Sequence, residues 1–429
     1  MTLVNENIRE LNGINVHVMP TSKFKTNTFV MQFRAPIHRD TVTKKALLSY
    51  ILKNSSETYP TLQALQTRLD ELYGATLGAQ LSKKGEEHVL TLALTTSNDA
   101  YLQTTSGLLE DAVALISDVI LNPRVDNEMF THDVMTREKR KLKETIASIY
   151  DNKMQFAMQR LFDHMCADES FGYHTYGYEE DIDHLSGEAM YQYYQHMLTT
   201  DEVDFYAVGD IDQERLYQAV SNHLTFKDRH PEQHCVVTKS EGSPASEAVE
   251  YQDVEQAKLT MGYRTHIVMG DALYSASQVF NGLFGGFPNS KLFQNVREKH
   301  SLAYTVASRY ESYKGLMLVM AGIASEDYQK TVDIIGEQLS AIVNGDFSDD
   351  ELSQTKALLK SRVLESLDSP FGIVDAVYKF SLSPDNGTLE GWLREIDEVT
   401  REDVIEVAKN ITLDTVYCLL SKEERSANA

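Results

Sequence analysis

From Thr28 to Gly209, and again from Lys258 to Leu420, apolar periodicity lays down the same order of elements: strand, helix, helix, two strands, several helices, final strand. The first copy begins with the strand Thr28–Ala35 and a helix over Lys44–Lys53. A helix over Thr61–Tyr73 follows, opened after Pro60 and closed at Gly74, then the strands ATLGAQL and HVLTLALTT. Helices are expected over Leu102–Ile120, Asn127–Ile149 and Lys153–Met165, then from Ser186, before the strand VDFYAVG. The second copy answers with Lys258–Arg264, helices over Ala272–Phe284 and Ser290–Lys299, and the strands LAYTVASRY and LMLVMAGIA. Its helices run Tyr328–Asn344, Asp349–Leu367, Phe371–Ser381 and from Thr400, and its last strand is DTVYCLL.

Local echoes support a duplication. VDNEMFTHDVMTREKRKLKE resembles FSDDELSQTKALLKSRVLE, and Ser186 and Thr400 both stand where an N-cap belongs, with acids in the first turn. The offset drifts from about 230 residues (Arg34 against Arg264) to about 214 (Ser186 against Thr400), as insertions in the first copy would cause. Between the copies lies a polar stretch with Pro231, Gly242 and Pro244, a linker by composition. The expected division is a first domain over 1–225, a linker over 226–248 and a second domain over 249–429.

The chain of 429 residues, 42% hydrophobic and 24% charged, has the composition of a folded protein. A net charge of −24 opposes a phosphate backbone and an anionic lipid surface, so neither nucleic acid nor membrane is an expected partner. Cys166, Cys235 and Cys418 show no CxxC spacing, which suits a reducing compartment. Without a basic-then-apolar leader or a long apolar run, the expected location is cytoplasmic. His230 and His234 have i, i+4 spacing beside Cys235, but in a proline-containing linker this reads as exposed polar spacing. His38, His88 and His132 stand singly. No GxSxG or P-loop sequence occurs.

The stretch FGGFPNSKLFQNVREKHSLAY (Phe284–Tyr304) is the most specific motif. It resembles the GG…SRLF…LREK.GLAY pattern of the pitrilysin/insulinase family of zinc peptidases, in the form of bacterial two-domain subunits that lack the metal motif. The resemblance covers about residues 10 to 420. It implies an α+β fold of two homologous domains, each a mostly antiparallel sheet covered by helices, facing each other across a cleft. Active members carry HxxEH on the first helix and a distal glutamate on a later one. Here Ala46, Ser49 and Tyr50 occupy the HxxEH positions and Thr145 the distal one, with Glu144 one residue off. No histidine lies between Asp40 and Glu87, so no metal is expected in this chain.

The family's second domain supplies an arginine and a tyrosine opposite the zinc, and these positions match Arg297 and Tyr304. Arg297 would hold substrate and Tyr304 would stabilise the oxyanion. His300-Ser301 stands where a glycine is commoner. Gly285 and Gly286 read as a turn needing positive φ, at the border of the substrate cleft. The resemblance thus implies a non-zinc subunit, inactive alone, whose partner bears HxxEH and zinc, the pair forming a heterodimeric metallopeptidase that binds peptide. The alternatives are a homodimer, or a non-catalytic peptide-binding or assembly module of the same fold.

Overall fold

The computed structural model describes residues 3–102, 107–232, 234, 236–239, 242, 245–384 and 387–422, so Cys235 lies outside the described residues. The strands are β1 (Asn7–Leu11), β2 (Ile14–Pro20), β3 (Thr26–Pro36), β4 (Thr76–Lys84), β5 (Glu87–Ser97), a two-residue pair β6 (Val125–Asp126) and β7 (Met129–Phe130), and β8 (Glu202–Gly209). The second set is β9 (Ser246–Gln252), β10 (Ala257–Arg264), β11 (Ala303–Glu311), β12 (Leu316–Ile323) and β13 (Thr412–Ser421). The helices are α1 (Arg39–Leu52), α2 (Leu62–Glu71), α3 (Leu108–Leu121), α4 (His132–Asp151), α5 (Lys153–Met165), α6 (Glu179–Ile182), α7 (Gly187–Thr200) and α8 (Gln213–His223). They continue as α9 (Tyr274–Asn281), α10 (Tyr328–Val343), α11 (Asp349–Ser366), α12 (Pro370–Ser381), α13 (Leu389–Glu398) and α14 (Arg401–Asn410).

One sheet has the order β1-β2-β8-β3-β5-β4 and the other β11-β12-β10-β13-β9. With β1 set aside, the two orders are the same when β2, β3, β4, β5 and β8 are exchanged for β9, β10, β11, β12 and β13. Even the parallel pair recurs, β2 with β8 and β13 with β9, while the other pairs are antiparallel. This is the α+β architecture expected from the repeated pattern. The caps are also as expected: Ser186 accepts from the Ala189 amide, and Thr400 with Asp403 closes a capping box.

The sequence missed the hairpin β1–β2, the strand β9 and the helices α8 and α13. The helix expected from Asn127 starts at His132, because Asn127 and Glu128 have left-handed φ of 48° and 60° in the turn joining β6 and β7. No helix among the described residues is long and apolar enough to cross a membrane.

The chain forms two compact units, and neither is contiguous. The first comprises Met1–Ala147, Tyr173–Cys235 and Ser366–Lys379; the second comprises Ser148–Gly172, Val236–Glu365 and Phe380–Ala429. Helix α5, from the first copy, packs on β10 and β13 of the second unit. It buries Ala157 and Leu161 with Leu318, Tyr417 and Leu419. Gly262 permits the approach, since a Cβ there would lie 2.4 Å from the Met165 sulfur. Most of α12, from the second copy, belongs to the first unit. Tyr378 meets the Tyr206 ring of β8 edge-on, and Asp375 pairs with Lys84 of β4 at 3.0 Å. Periodicity shows that a helix has an apolar face but not which sheet receives it.

The stretch read as a linker is tied down at its two ends. Arg229 donates to the carbonyls of Gly13, Leu198 and Asp201 within the first unit, and Ser246–Gln252 forms β9 in the second.

A buried arginine lies at or near the end of a central strand in each sheet. Arg34 on β3 pairs with Glu202 of β8 and lies 3.7 Å from Glu87 of β5. Arg264 on β10 donates to Asp414 at 2.9 Å and to the Met165 carbonyl at 2.6 Å, and pairs with Glu169 at 2.8 Å. Lys314 meets the other Glu169 oxygen at 2.7 Å. Burial alone would raise the Glu169 pKa, but Lys314 and Arg264 hold it below the ordinary carboxylate range. Truncating Arg264 takes the arginine from two carboxylates, leaving Glu169 to Lys314 and Asp414 to the Thr415 hydroxyl, so Arg264→Ala is expected to cost about 3 kcal/mol in urea unfolding. A loss under about 1 kcal/mol would show that the cluster does not carry this weight.

His17 on β2 is buried, stacked on Tyr206 with ring centroids 4.4 Å apart. Its Nδ1 lies 2.6 Å from Glu6 and its Nε2 3.4 Å from Asp204. Burial disfavours the charged ring, but the hydrogen bonds and charges of Asp204 and Glu6 outweigh it and push the pKa up to about 9. The folded state therefore binds this proton more tightly than the unfolded chain. The resulting stability is full below the ordinary value of 6.5 and is lost as pH rises through about 9. Urea titrations across that window should show a decline of about 3 kcal/mol that His17→Gln removes.

Candidate functional site

The motif around Arg297 is wound more loosely than an α-helix. Helix α9 passes at Gly282 into a π-helical turn, Gly282–Gly286, and Phe293–Lys299 forms a second. The His300 amide reaches back five residues to the Asn295 carbonyl at 3.2 Å. The helices expected over Ala272–Phe284 and Ser290–Lys299 thus exist, but periodicity did not reveal their i→i+5 winding, a form concentrated at functional sites.

Gly285 and Gly286 correct the expectation of positive φ, because neither adopts it. They are glycines for want of space. A Cβ on Gly285 would lie 2.7 Å from the Ser308 hydroxyl of β11 and 2.8 Å from Leu292, and one on Gly286 would lie 3.0 Å from Asn281. Left-handed backbone occurs instead at Ser301, with φ of 53°, at the position where the resembled pattern carries glycine.

That turn leads into β11, where the register with β12 slips between Ala303 and Thr305. The bulge falls on Tyr304 and re-aims its side chain, which is 75% exposed. Arg297 is exposed as well. Its guanidinium carbon lies 5.6 Å from the Tyr304 ring centroid and 4.7 Å from that of Phe293, a cation–π cluster. The structure therefore brings Arg297 and Tyr304 together on one exposed surface of the second unit. A fork of N–H donors and a phenolic O–H side by side can hold a carbonyl or carboxylate and donate to a developing oxyanion.

The four positions aligned with metal ligands lie on α1 and α4. Ala46 is fully buried in the core. The Ser49 hydroxyl donates to the Ala46 carbonyl at 2.7 Å. The Tyr50 hydroxyl and the Thr145 hydroxyl hydrogen-bond each other at 2.6 Å. Tyr50 and Thr145 therefore meet, as the alignment of the two helices implies, but they meet as neutral hydroxyls. A methyl group and three hydroxyls engaged internally do not fit zinc, which takes imidazole, thiolate or carboxylate. Glu144 points away, exposed and 3.7 Å from Arg140. Among the described residues no three His, Cys, Asp or Glu side chains form a metal-binding group. His230, Pro231, Glu232 and His234 are not helical, so the i, i+4 relation of the two histidines has no helical face to act on.

Sequence reading missed Glu138, fully buried on α4. It accepts from the Asn54 amide at 2.8 Å, pairs with Arg137, and lies 3.6 Å from Lys141. The apolar face of α4 gives its only sequence signal, as an acid at a position where the pattern turns inward.

Gly285→Ala should force the first π-turn off β11 and destabilise the protein by about 1–3 kcal/mol. Tyr304→Phe, at an exposed ring, should stay within about 0.5 kcal/mol of the parent. Thermal unfolding of the two variants side by side checks both.

A family model for the peptidase M16 inactive domain matches residues 184–359. The chain is 39% identical to the probable inactive metalloprotease YmfF of Bacillus subtilis (strain 168), over 99% of this chain and 100% of that protein. It is 25% identical to the uncharacterized zinc protease YmxG of the same organism, over 64% and 65% of the two chains. A crystal structure of a conserved protein from Enterococcus faecalis V583 superposes with a TM-score of 0.90 at 33% identity, covering 97% of this chain and 99% of that one. With the metal positions of α1 and α4 occupied by a methyl group and hydroxyls, the chain belongs to the peptidase M16 (pitrilysin/insulinase) family as an inactive homologue of its metalloproteases.

Proposed function

We propose that this protein is the non-zinc subunit of a heterodimeric metallopeptidase, binding peptide and presenting Arg297 and Tyr304 to a zinc site carried by a partner with HxxEH. The observation that carries this reading is the pairing of an exposed guanidinium with an exposed phenol. Among the described residues neither side chain has a hydrogen-bond or ion-pair partner in the fold. A bulge and a π-turn set their direction. In this arrangement Arg297 holds the substrate by a carbonyl or carboxylate, and the Tyr304 hydroxyl donates to the oxyanion of the tetrahedral intermediate. The chain alone, with hydroxyls in place of metal ligands, does not hydrolyse peptides.

Affinity purification from the native cell, with mass spectrometry and a zinc assay of the complex, is the first test. A co-eluting HxxEH protein and cleavage only by the pair are expected. In the reconstituted pair Tyr304→Phe should lower kcat by about 10²–10³, the effect of removing one oxyanion donor. Arg297→Ala should raise KM for peptide. A zinc-free homodimer, or cleavage indifferent to both substitutions, would overturn this reading in favour of a peptide-binding or assembly module without catalysis.

A further inference from the structure

Glu138, the buried acid of α4, lies within the first unit and takes no part in the arginine–tyrosine surface. Asn54, just past the end of α1, donates to its Oε2 at 2.8 Å, and Arg137 pairs with its Oε1. Lys141, one turn along α4, lies 3.6 Å from the same Oε2. One carboxylate therefore already answers an amide, a guanidinium and an ammonium.

A third cation enters the seam between α1 and α4 with no counterpart. Lys53, the C-cap of α1, is half-buried, and its ammonium lies 4.5 Å from the centroid of the Tyr50 ring. Tyr50 reaches across to α4 through its hydrogen bond to Thr145, one turn beyond Lys141, so Lys53 is held over the ring that bridges the two helices. Among the described residues Lys53 has no hydrogen-bond acceptor and no ion-pair partner, and a ring face attracts an ammonium less than a carboxylate does. Burial, with the charge of Lys141 added to it, lowers the Lys53 pKa, and Glu138 offsets only part of this.

Three cations against one carboxylate leave an excess of two positive charges, in a chain whose net charge is −24. Two further acids beside α4 are engaged with other cations: Glu144 lies 3.7 Å from Arg140, and Asp183 lies 2.7 Å from Lys143. Like charges gathered where water is partly excluded repel more strongly than in bulk solvent, and an anion from outside relieves them. That anion can arrive from solvent, because Lys53, Arg137 and Lys141 are each partly exposed. Two ammonium groups are separate points of charge rather than one planar fork, so they suit two carboxylates carried side by side. The choice of carboxylates rests on the reading that this chain binds peptide, which its catalytic and non-catalytic forms share.

We propose that the seam between the end of α1 and the middle of α4 is a binding site for acidic peptide, in which neighbouring carboxylates accept from Lys53 Nζ and Lys141 Nζ.

Calorimetric titration of the full chain, without partner or zinc, tests this with a short blocked peptide carrying a central Glu-Glu, its Gln-Gln counterpart, and inorganic phosphate. The Glu-Glu peptide should bind about tenfold more tightly than the Gln-Gln peptide, the worth of one charge-assisted hydrogen bond, and this advantage should shrink as salt rises. The double substitution K53Q/K141Q should abolish the advantage while the circular dichroism spectrum is retained. Lys53→Gln alone removes no hydrogen bond or ion pair of the fold, so its thermal unfolding should match or exceed that of the parent while the advantage falls about threefold. Equal binding of the two peptides, binding of neither, an advantage that survives the double substitution, or phosphate bound more tightly than the Glu-Glu peptide would overturn the proposal. A partner that cleaves peptide in dependence on Arg297 and Tyr304, while the two peptides bind alike, would remove this site and leave the peptidase reading standing. Selective binding without a zinc-bearing partner would do the reverse.

Discussion

A charge removed from water must be matched where it is buried, and in each sheet one arginine sets that condition. Arg34 is the register partner of Glu202 across β3 and β8, so their ion pair and the strand ladder specify one alignment. Arg264 ends β10 in the same way, with Asp414 on β13. A one-residue slip of either central strand would turn its arginine to the other face and leave the carboxylates behind. The core strands inherit their alignment from these pairs, and so do the helices laid over them. In the second unit, Arg264 also grips the end of α5 through the Met165 carbonyl, linking strand register to helix position.

The duplicated order was legible because it is written in periodicity, the signal that burial impresses most directly on sequence. Arg34 and Arg264 stood in register in the sequence, and the structure shows both at one place in the repeat. Other features were hidden because their causes are spatial. The apolar residues of α5 do not say that β10 and β13 will cover them. The π-turns depend on Gly285 fitting against Ser308, which lies 23 positions further along the chain. The strand β9 is short and half-exposed in a polar stretch, so its alternation is faint. At the site, the resemblance located Arg297 and Tyr304, but the bulge that exposes the phenol left no mark in the residue pattern.

The metal positions and the arginine–tyrosine surface show two different relations to the fold. Polar groups drawn out of water must find partners, and the hydroxyls of buried Ser49 and half-buried Tyr50 and Thr145 have found theirs inside the protein. They belong to the packing of α1 and α4. Arg297 and Tyr304 are exposed and, among the described residues, engage each other and Phe293, so the fold needs little from them. Chemistry has been absorbed into structure at one place and left on the surface at the other.

The exchange of α5 and α12 bears on how the polypeptide is made. A ribosome releases the six strands of the first sheet by Gly209, yet the segment Ser366–Lys379 that completes this unit emerges more than 150 residues later. The first half therefore waits, with the face of β8 that receives Tyr378 uncovered, until most of the second half has been synthesised. Contacts of such long sequence separation slow folding and prolong the exposure of apolar surface. Although the gene reads as two copies in tandem, the first unit is completed by a segment of the second, and a nascent chain halted between the copies holds its sheet with the β8 face that receives Tyr378 bare.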